Sequence, residues 1–247
     1  MTLLVLLHGL SATRGVWAPM LEMAEERWDG EILAPNLRGH GRSPRADSYA
    51  LRSFAADVGQ LLAQQDLADG YVVLGHSMGG AVGLALASGL FGPPPKHVFG
   101  LGIKVAWTEE EAAGLKALAE KPAKLFATRD EAVERYLKAS GLIGLVDPSS
   151  DMASEGVVED HGGWRLACNP RTAEVGPPPM KMLTTGAQCP VSLACGERDR
   201  MVSAEQLREW DPDAESLPGL GHNAMVEAPK EVWDWVGYRF SASARTG

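Results

Sequence analysis

Cysteine is scarce in this chain of 247 residues, which contains only Cys168, Cys189 and Cys195. No Cys-x-x-Cys pair occurs, and the spacing suits neither a disulfide framework nor a zinc knuckle. Because disulfides persist mainly in oxidising compartments, this usage argues against a disulfide-stapled secreted scaffold. We expect reduced thiols and a cytoplasmic location.

Positive charge is also in short supply. The chain has 23 Lys and Arg against 32 Asp and Glu, which gives a formal net charge of −9. Proteins that bind nucleic acid draw much of their affinity from clustered Lys and Arg, whereas the dense charge stretches here mix both signs. The sequence therefore predicts no nucleic-acid partner.

Long apolar runs are missing as well. A membrane-spanning helix needs about 20 mostly apolar residues in a row, and no stretch of the sequence approaches that length. The apolar opening Leu3–Leu7 is short, has no basic leader and runs straight into His8-Gly9. This pattern favours a buried strand over a signal peptide, and we expect no membrane partner.

Apolar runs of strand length are present, and they alternate with helical patterns. The strand-like runs occupy Leu3–Leu7 and residues 31–34, 71–74 and 97–103. Helical spacing marks residues 16–27 and 51–65 between them. Such alternation predicts an α/β fold, in which a mostly parallel central sheet is covered by helices on both faces. At this length we expect a single structural unit.

The alternation breaks after the fourth strand-like run. The next part of the chain is mainly helical in pattern, with capping-box signatures at residues 108–111 and 128–131. A short hairpin is expected at residues 157–167, and the strand pattern of the core resumes near residue 191. We therefore predict a sheet core formed by residues 1–103 and 186–247, interrupted by a mainly helical insertion of residues 104–185.

A Gly-x-Ser-x-Gly pattern at residues 75–79 lies between an apolar strand and a helix rich in Gly and Ala. The flanking glycines leave room for a strained turn that lifts a hydroxyl above the sheet edge, and the following N–H groups point toward it. The pattern alone is common, and a glycine-rich turn with an incidental serine is the alternative. In this strand-to-helix setting we predict Ser77 as a nucleophile and the Met78 N–H as an oxyanion donor.

An acyl-transfer site needs a second donor aimed at the developing oxyanion. The loop His8-Gly9-Leu10 leaves the first strand at its carboxyl end, the edge at which open α/β sheets bind ligands. We therefore predict that the Leu10 N–H joins that of Met78. His8 is expected to make a structural hydrogen bond rather than to act as a base.

A serine hydroxyl needs a neighbouring base to accept its proton, and the chain offers six histidines. His222 follows the last strand-like run and precedes the closing helix, as the chain order nucleophile, acid, base requires. His76 adjoins Ser77 but lies on the wrong side of a tight turn. We predict His222 as the general base.

The acid is expected at the end of a strand between Ser77 and His222. Asp199 follows an apolar run there, where a carboxylate would hold the imidazole tautomer and stabilise the imidazolium. Glu197 is the nearby alternative, and Asp211 and Asp213 are more distant ones. We predict Asp199 as the acid.

Together these motifs resemble the α/β-hydrolase superfamily over nearly the whole chain. The resemblance rests on His8-Gly9, Arg38-Gly39-His40-Gly41 with Ser43, the motif at residues 75–80, Gly196 with Asp199, and Gly221-His222. It implies cleavage of an ester, amide, lactone, thioester or sometimes a carbon–carbon bond, with the helical insertion as a cap over the pocket. Two features depart from the usual pattern. Many members carry Asp where this chain has Asn36, and the usual first two strands are expected to be absent, because Met1 lies almost at the start of the first strand-like run.

Loops near the nucleophile supply the predicted substrate contacts, which are Ser11, Trp107, Met201 and Asn223. No cluster of Arg is available to clamp a phosphate or a dicarboxylate. We therefore expect the site to accept a small, largely apolar acyl or alkyl group.

These expectations describe a serine hydrolase that cleaves a carboxylic ester, lactone or thioester through an acyl-enzyme, without a cofactor or a metal. Its expected partner is a small-molecule substrate. Two alternatives stay open. The same triad could serve a carbon–carbon hydrolase or a lyase in which Ser77 is not acylated, or the chain could be a ligand-binding homologue with little turnover. The sequence leaves the physiological substrate and the oligomeric state open.

Overall fold

The computed structural model describes residues 1–243, and a parallel β-sheet forms its centre. The strands, in chain order, are β1 (Leu3–Leu7), β2 (Ile32–Leu33), β3 (Tyr71–His76), β4 (His97–Leu101), β5 (Val157–Asp160), β6 (Gly163–Leu166), β7 (Val191–Gly196) and β8 (Glu215–Leu217). Six of them form the central sheet in the order β2-β1-β3-β4-β7-β8, and each neighbouring pair is parallel. The predicted α/β fold with a mostly parallel sheet is therefore confirmed.

Helices follow most strands and cover the sheet. They are α1 (Ala18–Leu21), α2 (Ala24–Arg27), α3 (Leu51–Leu62), α4 (Met78–Leu86), α5 (Glu109–Ala119), α6 (Arg129–Ala139), α7 (Asp151–Glu155), α8 (Met180–Thr185), α9 (Ala204–Leu207), α10 (Ala224–Glu227) and α11 (Pro229–Ser243). Short 3-10 helices occupy Arg14–Trp17 and Pro170–Val175.

The two faces of the sheet build two apolar clusters. Side chains of a strand alternate between faces, so Val5 of β1 packs with α3 and α4 on one face, while Leu4 and Leu6 pack with Trp17 and Trp233 on the other. All five residues of β1 are buried. Because a strand that is buried on both faces needs apolar residues at nearly every position, its sequence is a continuous apolar run. This is why β1 and β3 could be recognised from the sequence.

Residues 102–190 connect β4 to β7 and carry α5 to α8 together with the antiparallel hairpin β5-β6. Both predicted capping boxes are confirmed. Thr108 is the N-cap of α5 and Thr128 is the N-cap of α6. Each threonine hydroxyl accepts a hydrogen bond from the backbone amide of the glutamate three residues later, and that glutamate's carboxylate accepts one from the threonine's backbone amide. We call this part of the chain the β4–β7 segment.

The helical spacing of residues 16–27 corresponds to short helical pieces rather than to one helix. The chain there forms the 3-10 turn Arg14–Trp17, then α1, then α2. Pro19 lies in the first turn of α1. Proline has no N–H to continue a helix from the preceding turn, so it favours a new start at this point.

Among the helices of residues 1–243, none combines the length and apolarity that crossing a membrane would require.

Candidate active site

Ser77 occupies a strained turn between β3 and α4. Its backbone angles are φ 50° and ψ −116°, a conformation that costs a non-glycine residue about 1–3 kcal/mol and tends to mark functional sites. The Ser77 amide donates to the Leu101 carbonyl of β4 at 2.8 Å. The neighbouring glycines permit the turn: a Cβ on Gly79 would lie 2.1 Å from the Leu7 carbonyl oxygen, and one on Gly75 would lie 2.4 Å from the Gly79 carbonyl oxygen.

A cavity of about 620 Å³ opens above this turn, at the carboxyl ends of the strands. Ser77, His222, Leu10 and Met78 all lie on its wall. Of the four predicted substrate contacts, the wall includes Ser11, Trp107 and Met201 but not Asn223. The structure thus brings together residues that are far apart in the sequence.

His222 and Asp199 form a direct pair. The Nδ1 atom of His222 lies 2.8 Å from Oδ2 of Asp199, whose side chain is 0 % exposed. The other carboxylate oxygen of Asp199 accepts the Met201 amide at 2.7 Å. The nearby alternative acid, Glu197, is exposed and accepts the Gly219 amide instead. A buried carboxylate in this position fixes the imidazole with a proton on Nδ1 and leaves Nε2 as the basic nitrogen.

Ser77 and His222 line the same cavity. Within residues 1–243 no hydrogen bond joins the Ser77 hydroxyl to the His222 ring. Nucleophile–base contacts in unliganded sites are often long and tighten only when substrate is bound. The arrangement therefore places a hydroxyl and an imidazole on the wall of one cavity.

The two predicted oxyanion donors are both available. In the described part of the chain neither the Leu10 amide nor the Met78 amide donates to a backbone carbonyl, and both residues line the cavity. Free amides on the wall beside a nucleophile can bind a developing negative charge.

Two buried imidazoles hold the loop that carries Leu10. His8 donates from Nδ1 to the Gly9 carbonyl at 2.8 Å and accepts the Leu37 amide at Nε2 at 3.0 Å. His40 accepts the Ser11 amide at Nε2 at 3.2 Å. Burial, assisted by the neighbouring His40, lowers the pKa of His8 from 6.5 to about 3, so His8 is neutral at physiological pH.

His76 supports the loop of the candidate base His222, a role that the sequence did not reveal. Its Nε2 donates to the carbonyl oxygen of His222 at 2.9 Å, and the two rings lie 4.6 Å apart between centroids. Burial, with the nearby His222 ring, holds the pKa of His76 well below its usual range. His76 is therefore a neutral donor that fixes the backbone of the His222 loop.

Asn223 requires a correction to the predicted substrate contact. Its side chain is buried, with the residue 2 % exposed, and its amide donates to the carbonyls of Ser140 and Gly141, each at 3.1 Å. An amide that is committed to two carbonyls behind the wall is not free for substrate. We therefore assign Asn223 to tethering the His222 loop to the end of α6.

Parts of the wall were missed at the sequence level. Helix α5 contributes Glu111, Gly114, Leu115 and Leu118, which share one helix face. Lys104 also lines the cavity; it pairs with Glu111, and its Nζ lies 4.8 Å from the centroid of the Trp107 ring. The i, i+3, i+4, i+7 spacing on α5 was the signal available, but it does not tell which surface the face covers.

Comparisons with known proteins agree with this architecture. A solved thioesterase domain from the curacin biosynthetic pathway superposes with a TM-score of 0.76 at 20% identity, covering 95% of this chain and 90% of that one. A solved E-2-(acetamidomethylene)succinate hydrolase gives a TM-score of 0.72 at 20% identity, with 95% and 90% covered. A solved marine microorganism esterase gives 0.66 at 22% identity, with 95% and 94% covered. At such identities the likeness shows the fold.

Among curated proteins, this chain is similar to one from Escherichia coli O9:H4 (strain HS) named "Putative carbamate hydrolase RutD". The two are 32% identical over 85 residues, which is 34% of this chain and 31% of the relative. The match therefore spans about a third of the relative's length. The model of the alpha/beta hydrolase family matches residues 4–235, nearly the whole chain. The chain belongs to the alpha/beta hydrolase family, and the fold predicted from its motifs is confirmed.

Proposed function

We propose that this protein is a serine hydrolase that cleaves a carboxylic ester, or the related lactone or thioester, of a small and largely apolar substrate through an acyl-enzyme. One observation carries the proposal. Ser77, held at φ 50°, lines the same cavity as the His222 ring, and Nδ1 of that ring lies 2.8 Å from the fully buried carboxylate of Asp199. This is the arrangement that activates a serine hydroxyl.

The reaction would proceed in two steps, acylation of Ser77 and then hydrolysis of the acyl-enzyme. His222 Nε2 takes the Ser77 proton while Oγ attacks the substrate carbonyl, and the amides of Leu10 and Met78 stabilise the oxyanion. The imidazolium, stabilised by Asp199, then gives its proton to the leaving alcohol, which leaves Ser77 acylated. Water repeats the sequence and releases the acid, so no cofactor or metal is required.

The composition of the wall supports a substrate without strong charge. Ile103, Leu115 and Val175 line the cavity, and the cation of Lys104 is matched by the carboxylate of Glu111. Lys138 is the further cation on the wall. We propose that the insertion of residues 104–185 serves as a cap, because its helix α5 places Leu115 and Leu118 on the wall of the cavity that contains Ser77. We also propose a cytoplasmic location, which the free state of Cys168, Cys189 and Cys195 supports.

A panel of uncharged aryl esters, a lactone, a thioester and an aryl carbamate tests the proposal. The carbamate is included because a matched relative is named for that substrate. We expect hydrolysis of at least one class, and Ser77→Ala should lower kcat by about 10⁴-fold or more. Intact-mass spectrometry after acid quench should show an acyl group on the wild type and none on Ser77→Ala.

The alternatives give different results in the same experiment. A carbon–carbon hydrolase or lyase would turn over its own substrate without an acyl adduct on Ser77. A ligand-binding homologue would bind members of the panel tightly in both wild type and Ser77→Ala, with no product from either. Inertness across the panel, with no adduct, would refute the esterase proposal.

A further inference from the structure

Helix α5 presents to the cavity a face that begins with Glu111 and continues with apolar residues. Gly114, Leu115 and Leu118 line the wall, and the helix packs on the 3-10 helix Pro170–Val175, whose Val175 is also on the wall. Leu115 and Leu118 are only partly buried. Leucines that lie on a helix and are incompletely covered by the protein offer apolar surface to whatever fills the cavity.

Gly114 in the middle of this face has no explanation in the fold. Glycine is among the least favourable residues in a helix interior. It is required where φ is positive or where another atom leaves no room for a Cβ, and neither applies here. Gly114 does not have a left-handed φ, and a Cβ built on it would meet no atom within 4 Å. Gly79, by contrast, could not carry one.

We propose that Gly114 is a specificity-determining residue, whose missing side chain keeps open a groove along α5 for an unbranched apolar chain of the substrate. The proposal rests on the proposed hydrolase function and names the substrate class: esters whose acyl or alkyl chain is long enough to lie along Gly114, Leu115 and Leu118. Gly114 is solvent-exposed on the wall of the cavity that contains Ser77, and the position of its missing Cβ is open. A side chain at position 114 would therefore occupy the volume that such a chain needs.

A chain-length series in two arms tests this. One arm varies the acyl chain of p-nitrophenyl alkanoates from two to twelve carbons, and the other varies the alcohol of alkyl acetates. In the wild type, kcat/KM should rise about fourfold for each methylene that enters the groove, the factor that corresponds to about 0.8 kcal/mol per buried CH₂. The arm that shows the rise identifies which part of the ester lies along α5.

Gly114→Leu should shorten the accepted chain. The ratio of activity on the longest good substrate to activity on the shortest should fall at least tenfold, and Gly114→Ala should lower the same ratio by a smaller factor. Gly237→Leu is the matched control, because Gly237 is also a glycine within a helix whose Cβ would meet nothing within 4 Å, and it does not line the cavity. It should leave the profile unchanged.

Binding of 1-alkanols to the Ser77→Ala protein separates this inference from the proposed function. Chain-length-dependent affinity that Gly114→Leu abolishes would support the groove even if no ester were hydrolysed. If Gly114→Leu leaves both arms and the alkanol affinities unchanged, the groove is refuted. An equal loss on every chain length, short ones included, would also overturn it, because that pattern indicates general damage to the site.

Discussion

The Nε2 atom of His76 lies 2.9 Å from the carbonyl oxygen of His222, so the residue that precedes the candidate nucleophile holds the loop of the candidate base. Nucleophile and base are therefore fixed to each other through the backbone, although their own side chains share no hydrogen bond within residues 1–243. This relationship gives His76 a positioning role that can be measured.

His76→Leu should lower kcat on the best substrate by about 10- to 100-fold with little change in KM, because misplacing a base affects the transition state more than ground-state binding. His76→Gln can restore an N–H donor near the same position and should recover part of the loss. A merely structural role would be indicated if both variants lost stability and activity equally, as followed by thermal unfolding alongside the kinetics.

Asp199→Asn should lower kcat by about 10⁴-fold, since an amide in that position favours the wrong imidazole tautomer. Glu197→Gln is the control, because Glu197 is exposed and bonds the Gly219 amide rather than His222. Its kcat should stay within about twofold of wild type. Comparable losses in the two variants would contradict the assignment of Asp199.

The stability of the protein should depend on pH through His8. Its pKa falls from 6.5 to about 3 on folding, so between these values the unfolded chain binds a proton that the folded chain does not. The free energy of unfolding therefore decreases as the pH falls through this window, by at most about 1.4 kcal/mol per pH unit. Well above pH 6.5 His8 is neutral in both the folded and the unfolded chain, and it then contributes no pH dependence.

Urea unfolding of wild type and His8→Gln at pH 6.5, 5.5 and 4.5 measures this contribution. Glutamine can accept the Leu37 amide but does not titrate, so its slope with pH should be shallower by about one proton. Parallel curves for wild type and His8→Gln would show that His8 is not held neutral.

Gly79→Ala should destabilise the fold, because its Cβ would lie 2.1 Å from the Leu7 carbonyl oxygen and force β1 and α4 apart. We expect a loss of about 1–3 kcal/mol or more, the usual cost of overpacking a core, with activity reduced in the folded fraction. Gly237→Ala in α11 has open space and should be neutral or stabilising. Chemical denaturation of the two variants provides the comparison, and equal stability would contradict the close packing described for Gly79.

The strands could be predicted from sequence because burial on both faces of a parallel sheet produces continuous apolar runs, as in β1 and β3. The motif at residues 75–79 and the order of Asp199 and His222 follow from the chain alone, since each is local to a strand end. Pro19 also indicates an interruption of the helical pattern, because proline favours the start of a new helix. The apolar spacing of residues 16–27 by itself does not show that break.

The remaining features depend on contacts between distant segments. Asn223 adjoins His222 in sequence, yet its amide turns away to the carbonyls of Ser140 and Gly141, and adjacency gives no information about that direction. The donor role of His76 likewise requires the position of a carbonyl 146 residues away. Gly114 becomes informative only when the face of α5 is known to border a cavity.

Contacts with two strands of the sheet, β1 and β4, fix the position of Ser77. Its own amide is bonded to the Leu101 carbonyl of β4, and Gly79, two residues on, lies against the Leu7 carbonyl of β1. The β4–β7 segment supplies much of what surrounds the hydroxyl but does not determine where it stands. Substitutions in that segment should therefore change the lining of the cavity while the contacts that fix the backbone of Ser77 to β1 and β4 stay the same.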